Sequence, residues 1–251
     1  MTIMPYAERV TEAGTGQVAS LAAQIGRVAA PLRSQVLDVL REAILSFRFA
    51  PGQRLIEREL IDLTGVSRTT IREVLRELAA EGLVKTIPQK GAIVVSLSPE
   101  EAEELYELRE VLEGHLAKKF VERATDAQVV ALRRAFTQLE NVVDRQEGTL
   151  AVLKAKDVLY ELLLSGAGNS ALRASLSQLH ARVSLLRASS LSSGPGRPPE
   201  AVAELRALVE AVEARDAQVA AEAMVSHVRA AARAGIEAVR TSSHSLLATS
   251  R

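Results

Sequence analysis

The apolar positions Val36, Leu37, Val39, Leu40, Ile44, Leu45 and Phe47 recur at three and four residues, which predicts a helix beginning near Pro31. Pro51 and Gly52 together stop it. A short helix over Glu57–Leu63 follows, then Gly65 as a turn, then a longer helix from Ser67 to about Glu81. In that helix Ile71, Val74, Leu75 and Leu78 form one apolar stripe. Ser67 is placed to cap its start, worth ~1 kcal/mol, and Gly82 to close its end. Two β-prone runs, LVKTI and AIVVSL, flank Pro88–Gly91 and read as a hairpin.

Beyond this hairpin the pattern is helical throughout. Helices are predicted at 100–122, 126–146, 149–165, 170–190, 199–214 and 216–240. Ser98, Pro99 and Glu101 supply a capping box for the first of these, Thr125 and Gln128 cap the second, and Asn169 caps the fourth. The stretch SSGPGRPP separates the fourth from the fifth. The expected fold class is mainly α: a winged helix-turn-helix in the N-terminal part, then an all-helical bundle of about six helices. The boundaries read as an arm at 1–29, the winged domain at 30–97, the bundle at 98–240 and a loose Ser/Thr-rich tail at 241–251.

Composition narrows the function classes. The 251 residues include no cysteine, which removes disulfides and thiolate metal sites. Neither a cleavable leader nor an uncharged run near the ~20 residues of a membrane span is present, so a cytoplasmic protein without membrane contact is expected. Net charge is zero, and residues 31–95 carry 10 Lys and Arg against 8 Asp and Glu. Bulk electrostatics therefore cannot carry a nucleic-acid role, and the placement of particular cations must. No nucleophile elbow, phosphate-binding loop, zinc-protease motif or cysteine nucleophile occurs, so catalysis is not expected.

Those cations cluster at the start of the longer helix. Arg68 and Arg72 stand one turn apart and share a face, opposite the apolar stripe. In a helix-turn-helix that face meets the major groove, where arginine pairs with guanine through two hydrogen bonds. Thr69 and Thr70 are short donors suited to phosphate oxygens. In the bundle, Arg109 lies near the stripe of Leu105, Leu108 and Leu112 and needs a partner. A ligand carboxylate and an internal salt bridge, for instance with Glu113, both satisfy it. His115 and His180 have no partner at ligand spacing, and His244 falls in the tail.

Residues 31–97 resemble the DNA-binding domain of the GntR family of bacterial transcriptional regulators, through PGQRLIERELIDLTGVSRTTIREVLRELAAEGLV and the wing IPQKGAIVV. Residues 100 to about 235 resemble the helical FCD effector domain of the FadR subfamily, through LYELREVLEG, DVLYELLLSGAGNSAL and AMVSHV. The resemblance implies DNA contacts at Arg58, Arg68, Thr69, Thr70, Arg72, Lys90 and Gly91, with Thr70 standing where many members have proline. It implies effector contacts at Arg109 and, through the family's GN pattern, Asn169; Arg173 and Arg182 are further candidate anion partners from their charge alone. It also implies a divalent metal (Zn, Ni or Mn) held by an aspartate, a histidine four residues on and two more histidines. Here Asp157 and His227 match, Glu161 replaces the second ligand, and the third falls near Leu205. The expected protein is a homodimeric regulator, a repressor before an activator, binding an inverted repeat in double-stranded DNA under control of a small carboxylate-bearing effector. The alternative is a ligand-independent architectural dimer.

Overall fold

The structure, a computed structural model, describes residues 32–194 and 196–248. The arm expected at 1–29 and the last three residues of the expected tail lie outside the described residues. The chain divides into two compact units, one ending at Ser96 and one spanning Leu97–Leu246.

The first unit runs α1 (Leu32–Leu45), β1 (Arg54–Leu55), α2 (Glu57–Thr64), α3 (Arg68–Ala80), β2 (Val84–Ile87) and β3 (Gly91–Val94). Val36, Leu40 and Ile44 of α1 and Ile71, Val74 and Leu78 of α3 are fully excluded from solvent, and these two helices pack together. Gly65 takes the left-handed conformation at φ 69°, and its N–H donates to the Ile61 carbonyl at 2.8 Å. This ends α2 and frees Ser67 to start α3. At the far end the Leu83 N–H reaches the Leu78 carbonyl at 2.9 Å, closing α3 as Gly82 predicted.

Two features of this unit differ from the sequence reading. The sheet has three strands in the order β1-β3-β2, all antiparallel. β1 was not expected, because two residues give no alternation; its identity comes from pairing Leu55 with Ala92. Phe47, assigned to the stripe of the first helix, lies past the helix end at φ 57°, and Phe49 supplies the buried ring.

The second unit holds α4 (Pro99–Arg123), α5 (Asp126–Asp144), α6 (Thr149–Ala167), α7 (Ser170–Leu191), α8 (Arg197–Glu213) and α9 (Ala217–Ala248). Both capping boxes form: Ser98 with Glu101, and Thr125 with Gln128. α6 is central and packs against α4, α5 and α7. A Cβ on Gly166 would stand 2.4 Å from the Phe120 ring, so α4 and α6 approach this closely only because the position is glycine. α8 starts at Arg197, with proline in its first turn, two residues before the expected 199. α9 continues to Ala248, through residues expected to be loose from 241. The Thr241 hydroxyl donates back to the Glu237 carbonyl at 3.0 Å, which lets a polar residue sit in the helix. Among the described residues no helix is long and apolar enough to cross a membrane.

Candidate functional site

Two groups of polar residues stand out, one on each unit. On the first unit, the Ser67 hydroxyl accepts from the Thr70 N–H at 3.2 Å and caps α3. The cap fixes the first turn and so the directions of the side chains that leave it. Arg68, Thr69 and Arg72 are exposed. Arg68 makes no ion pair or hydrogen bond among the described residues. Arg72 is held through Nε, which donates to both oxygens of Glu57 at 2.9 and 3.0 Å. That hydrogen bond and the carboxylate charge raise the Arg72 pKa. Its two terminal nitrogens stay outside the pair, and those are the atoms a guanine contact uses. Thr70 is half-buried, and its hydroxyl lies 3.0 Å from the Ser67 hydroxyl, so the cap already engages it. Arg58 is exposed beside Asp62 at 3.9 Å, a weak surface pair. Lys90 and Gly91 form the exposed tip of the β2–β3 hairpin, with Gly91 at φ 82°. Arg76, one turn beyond Arg72, is also exposed on this face and was missed in the sequence reading; its i+8 spacing from Arg68 was the available signal.

The second group is buried. Arg109 and Glu113, one turn apart on α4, are both fully excluded from solvent. The Arg109 Nε donates to Glu113 at 2.7 Å. The Tyr160 hydroxyl donates to the same carboxylate at 2.7 Å, and Arg187 approaches it at 3.6 Å. Burial pushes the Glu113 carboxyl up, but the two arginines and the Tyr160 hydrogen bond outweigh it and bring the group to about 2. The Arg187 guanidinium stacks 3.7 Å over the Tyr160 ring and reaches Asp157 at 3.6 Å. Both readings of Arg109 required a partner, and Glu113 is the one present. Even so, Arg109 Nη1 and Arg187 Nε are buried with no hydrogen-bond partner among the described residues.

Next to this pair, Lys156 Nζ lies 3.1 Å from His227 Nε2, and His227 Nδ1 lies 2.6 Å from Glu204. Glu204 also accepts from both terminal nitrogens of Arg197, at 2.7 and 2.9 Å. Burial, then Arg187, Arg109 and Arg197, lowers Lys156 to about 7. Burial and the Lys156 charge hold His227 down to about 3 despite Glu204, so the ring is neutral. With Nδ1–H directed to the carboxylate, Nε2 is left to accept from lysine.

The expected metal set does not assemble. Ligation needs a free nitrogen lone pair and free carboxylates. The His227 Nε2 lone pair faces a lysine. The Glu161 carboxylate, 65% exposed, pairs with Arg173 at 2.8 Å. Asp157 faces Arg187, and Leu205, near the third ligand position, is a fully buried core leucine. Among the described residues no group of three or more His, Cys, Asp or Glu could hold a metal. The residues present do not fit a divalent ion.

Asn169 is occupied at the start of α7, where its side-chain oxygen accepts from the Leu172 N–H at 3.0 Å. A cavity of about 60 Å³ between α4, α6 and α7 is lined by Glu113, Asp157, Tyr160, Glu161 and Arg187 among others; neither Asn169 nor Arg109 lines it. Arg182 pairs with Glu101 at 3.4 Å, and His115 is exposed. The side chains of His180 and His244 lie outside the described residues.

Sequence reasoning missed Lys156, Tyr160, Arg187, Arg197 and Glu204. Lys156 carried a readable signal, since it interrupts the stripe Val152, Leu153, Leu159, Leu163 at a position that periodicity assigns to the core.

Residues 32–94 match the family described as bacterial regulatory proteins, gntR family, and residues 104–230 match the FCD domain. An uncharacterized HTH-type transcriptional regulator in an unstable DNA locus of Streptomyces ambofaciens is 33% identical over 86% of this chain and 90% of that protein. The HTH-type transcriptional repressor RspR of Escherichia coli is 26% identical over 79% of this chain and 86% of that protein. Among solved structures, a putative GntR transcriptional regulator from Rhodococcus sp. RHA1 shares the fold, with a TM-score of 0.66 at 21% identity over 80% of this chain and 95% of that one. A capped helix presenting arginines beside a wing, followed by a bundle with a polar interior, is thus the architecture of a known regulator class rather than of an enzyme. The chain belongs to the gntR family of bacterial regulatory proteins and is a DNA-binding transcriptional regulator with an FCD domain.

Proposed function

We propose that the protein is a repressor of the FadR type, acting in the cytoplasm as a homodimer on a short inverted repeat. A two-fold dimer requires two-fold DNA, and each protomer would place α3 in one major groove. The observation that carries the reading is the Ser67-capped start of α3, where Arg68 and Arg72 point outward while Ile71, Val74 and Leu75 are buried behind them. Arg68 and Arg72 read bases. Thr69, Arg58 and the Lys90–Gly91 tip contact phosphates, and Thr70 serves the cap first and the backbone second. Repression is favoured by relatives that are named as repressors.

The second unit holds a small carboxylate-bearing effector, with Arg109 and its neighbours as the charged groups that meet it. Effector control needs a different affinity in two states, and a coupling of ~1–3 kcal/mol shifts operator affinity 5- to 150-fold. The test is to bind the purified protein to fragments of its own genome at several salt concentrations and sequence what is retained. A few fragments sharing an inverted repeat are expected, and their neighbouring genes nominate the effector. Retention without sequence preference, falling steeply with salt, would contradict base reading and match an architectural protein.

A further inference from the structure

The two arginines at the mouth of α3 are not treated alike by the fold. Arg68 has no partner among the described residues, whereas Arg72 Nε donates to both oxygens of Glu57, at 2.9 and 3.0 Å. Glu57 opens α2, so the pair ties the first turn of one helix to the second turn of the next. The Arg72 side chain is 54% exposed and that of Glu57 36%. An ion pair this open to solvent adds little stability, so stability does not account for it. Nor does attraction to DNA. A carboxylate here cancels the guanidinium charge and repels phosphates, which weakens backbone binding. What the pair supplies is direction. An unheld arginine moves on a long flexible stem, and phosphate oxygens lie all around a docked helix. With Nε occupied, the guanidinium presents its Nη1–Nη2 edge, whose two parallel N–H groups match O6 and N7 of guanine.

We infer that Glu57 is a specificity-determining positioning residue, which aims Arg72 at a guanine edge and cancels the charge that would draw it to a phosphate. The inference rests on the base-reading role of Arg72 proposed above and says what enforces it. Glu57 itself touches no base; it acts through Arg72. The other acid of the same turn, Glu59, is exposed and supplies a matched control. Removing Glu59 takes the same charge from the same turn without releasing Arg72.

The experiment titrates the full chain against a duplex carrying the recovered inverted repeat and a scrambled duplex of equal composition, at several salt concentrations. The variants are Glu57→Ala, Glu57→Gln, Glu59→Ala, Arg72→Ala and the double Glu57→Ala/Arg72→Ala. Glu57→Ala lowers the ratio of operator to scrambled affinity about 2- to 10-fold, the effect of leaving one long side chain unfixed. Binding to the scrambled duplex holds or tightens, and its salt slope steepens by about one as Arg72 is freed to meet a phosphate. Glu57→Gln, which keeps the length and one acceptor oxygen, falls between. Glu59→Ala leaves the ratio at the wild-type value, and the double variant discriminates no worse than Arg72→Ala alone. A Glu57→Ala ratio equal to wild type, while Arg72→Ala loses discrimination, overturns the inference and leaves the base reading standing. Equal losses on both duplexes, or a loss that adds to that of Arg72→Ala, also overturn it, because Glu57 then acts through the fold or through another group. An Arg72→Ala protein that discriminates as well as the wild type removes the base reading and the inference with it. Should Glu57→Ala fail to fold, Glu57→Gln against Glu59→Ala carries the same decision.

Discussion

The same residue type does opposite work in the two units. Arg68 and Arg72 on α3 stand in solvent at the mouth of a capped helix; among the described residues Arg68 is unpaired and Arg72 is held through its Nε. Arg109 and Arg187 in the bundle are sealed from solvent around Glu113. An exposed arginine costs the fold almost nothing and is available to a partner that arrives from outside. A buried arginine must be matched within the chain, and any surplus donor is directed to something small enough to enter. The contrast fits DNA recognition by the first unit and is what the proposed effector role of the second unit requires.

The comparison breaks first, and most visibly, at Glu113. Glu113→Gln leaves two buried guanidinium groups without their carboxylate, which costs ~3–5 kcal/mol and lowers the thermal midpoint by about 10 °C. Calorimetry checks it, and a change under a degree would mean that the buried pair is not the anchor described. Gly166→Ala tests packing without charge. Its methyl meets the Phe120 ring, and overpacking of this kind costs ~1–3 kcal/mol, read as a lower urea midpoint at unchanged slope.

A pH titration sharpens the contrast further. The folded chain keeps His227 neutral down to about 3, whereas an unfolded histidine takes up a proton below about 6.5. As pH falls between those values the unfolded state gains protons that the folded state refuses, so stability declines across that window. Glu113 and Glu204, both held to about 2, add a second loss as pH falls from about 4.5. His227→Gln flattens the first decline and leaves the second, as measured by urea unfolding at pH 7, 5.5 and 4. The smallest effect is at Ser98. Ser98→Ala removes one side of the capping box of α4 and costs ~1 kcal/mol.

Local chemistry explains which parts were legible. Ser67, Gly65, Gly82, Ser98 and Thr125 were readable because a cap or turn is decided within four residues. β1 was not, since a two-residue strand exists only through β3, almost forty residues away along the chain. The helix assignment of Phe47 failed because periodicity alone cannot tell the last turn from the residue after it. In the bundle, Arg109 was visible as a cation in an apolar stripe, and so was Lys156 in principle. Their partners were not: Lys156 and His227 lie 71 residues apart, and Arg197 sits in a proline-rich start with no helical phase to place it. The pairing of Asp157, Glu161 and His227 with Arg187, Arg173, Lys156 and Glu204 was hidden for the same reason, because spacing on one helix does not reveal which side chains arrive from others.

The most direct test of the account is an equilibrium titration of the wild type, Arg68→Ala and Arg72→Ala against an operator fragment and a scrambled fragment at fixed salt. Each substitution is predicted to cost ~1–3 kcal/mol on the operator, to leave weak binding to the scrambled fragment nearly unchanged, and to leave the thermal midpoint where it was. Equal loss on both fragments, or no loss on the operator, would contradict the assignment of these two arginines to base reading.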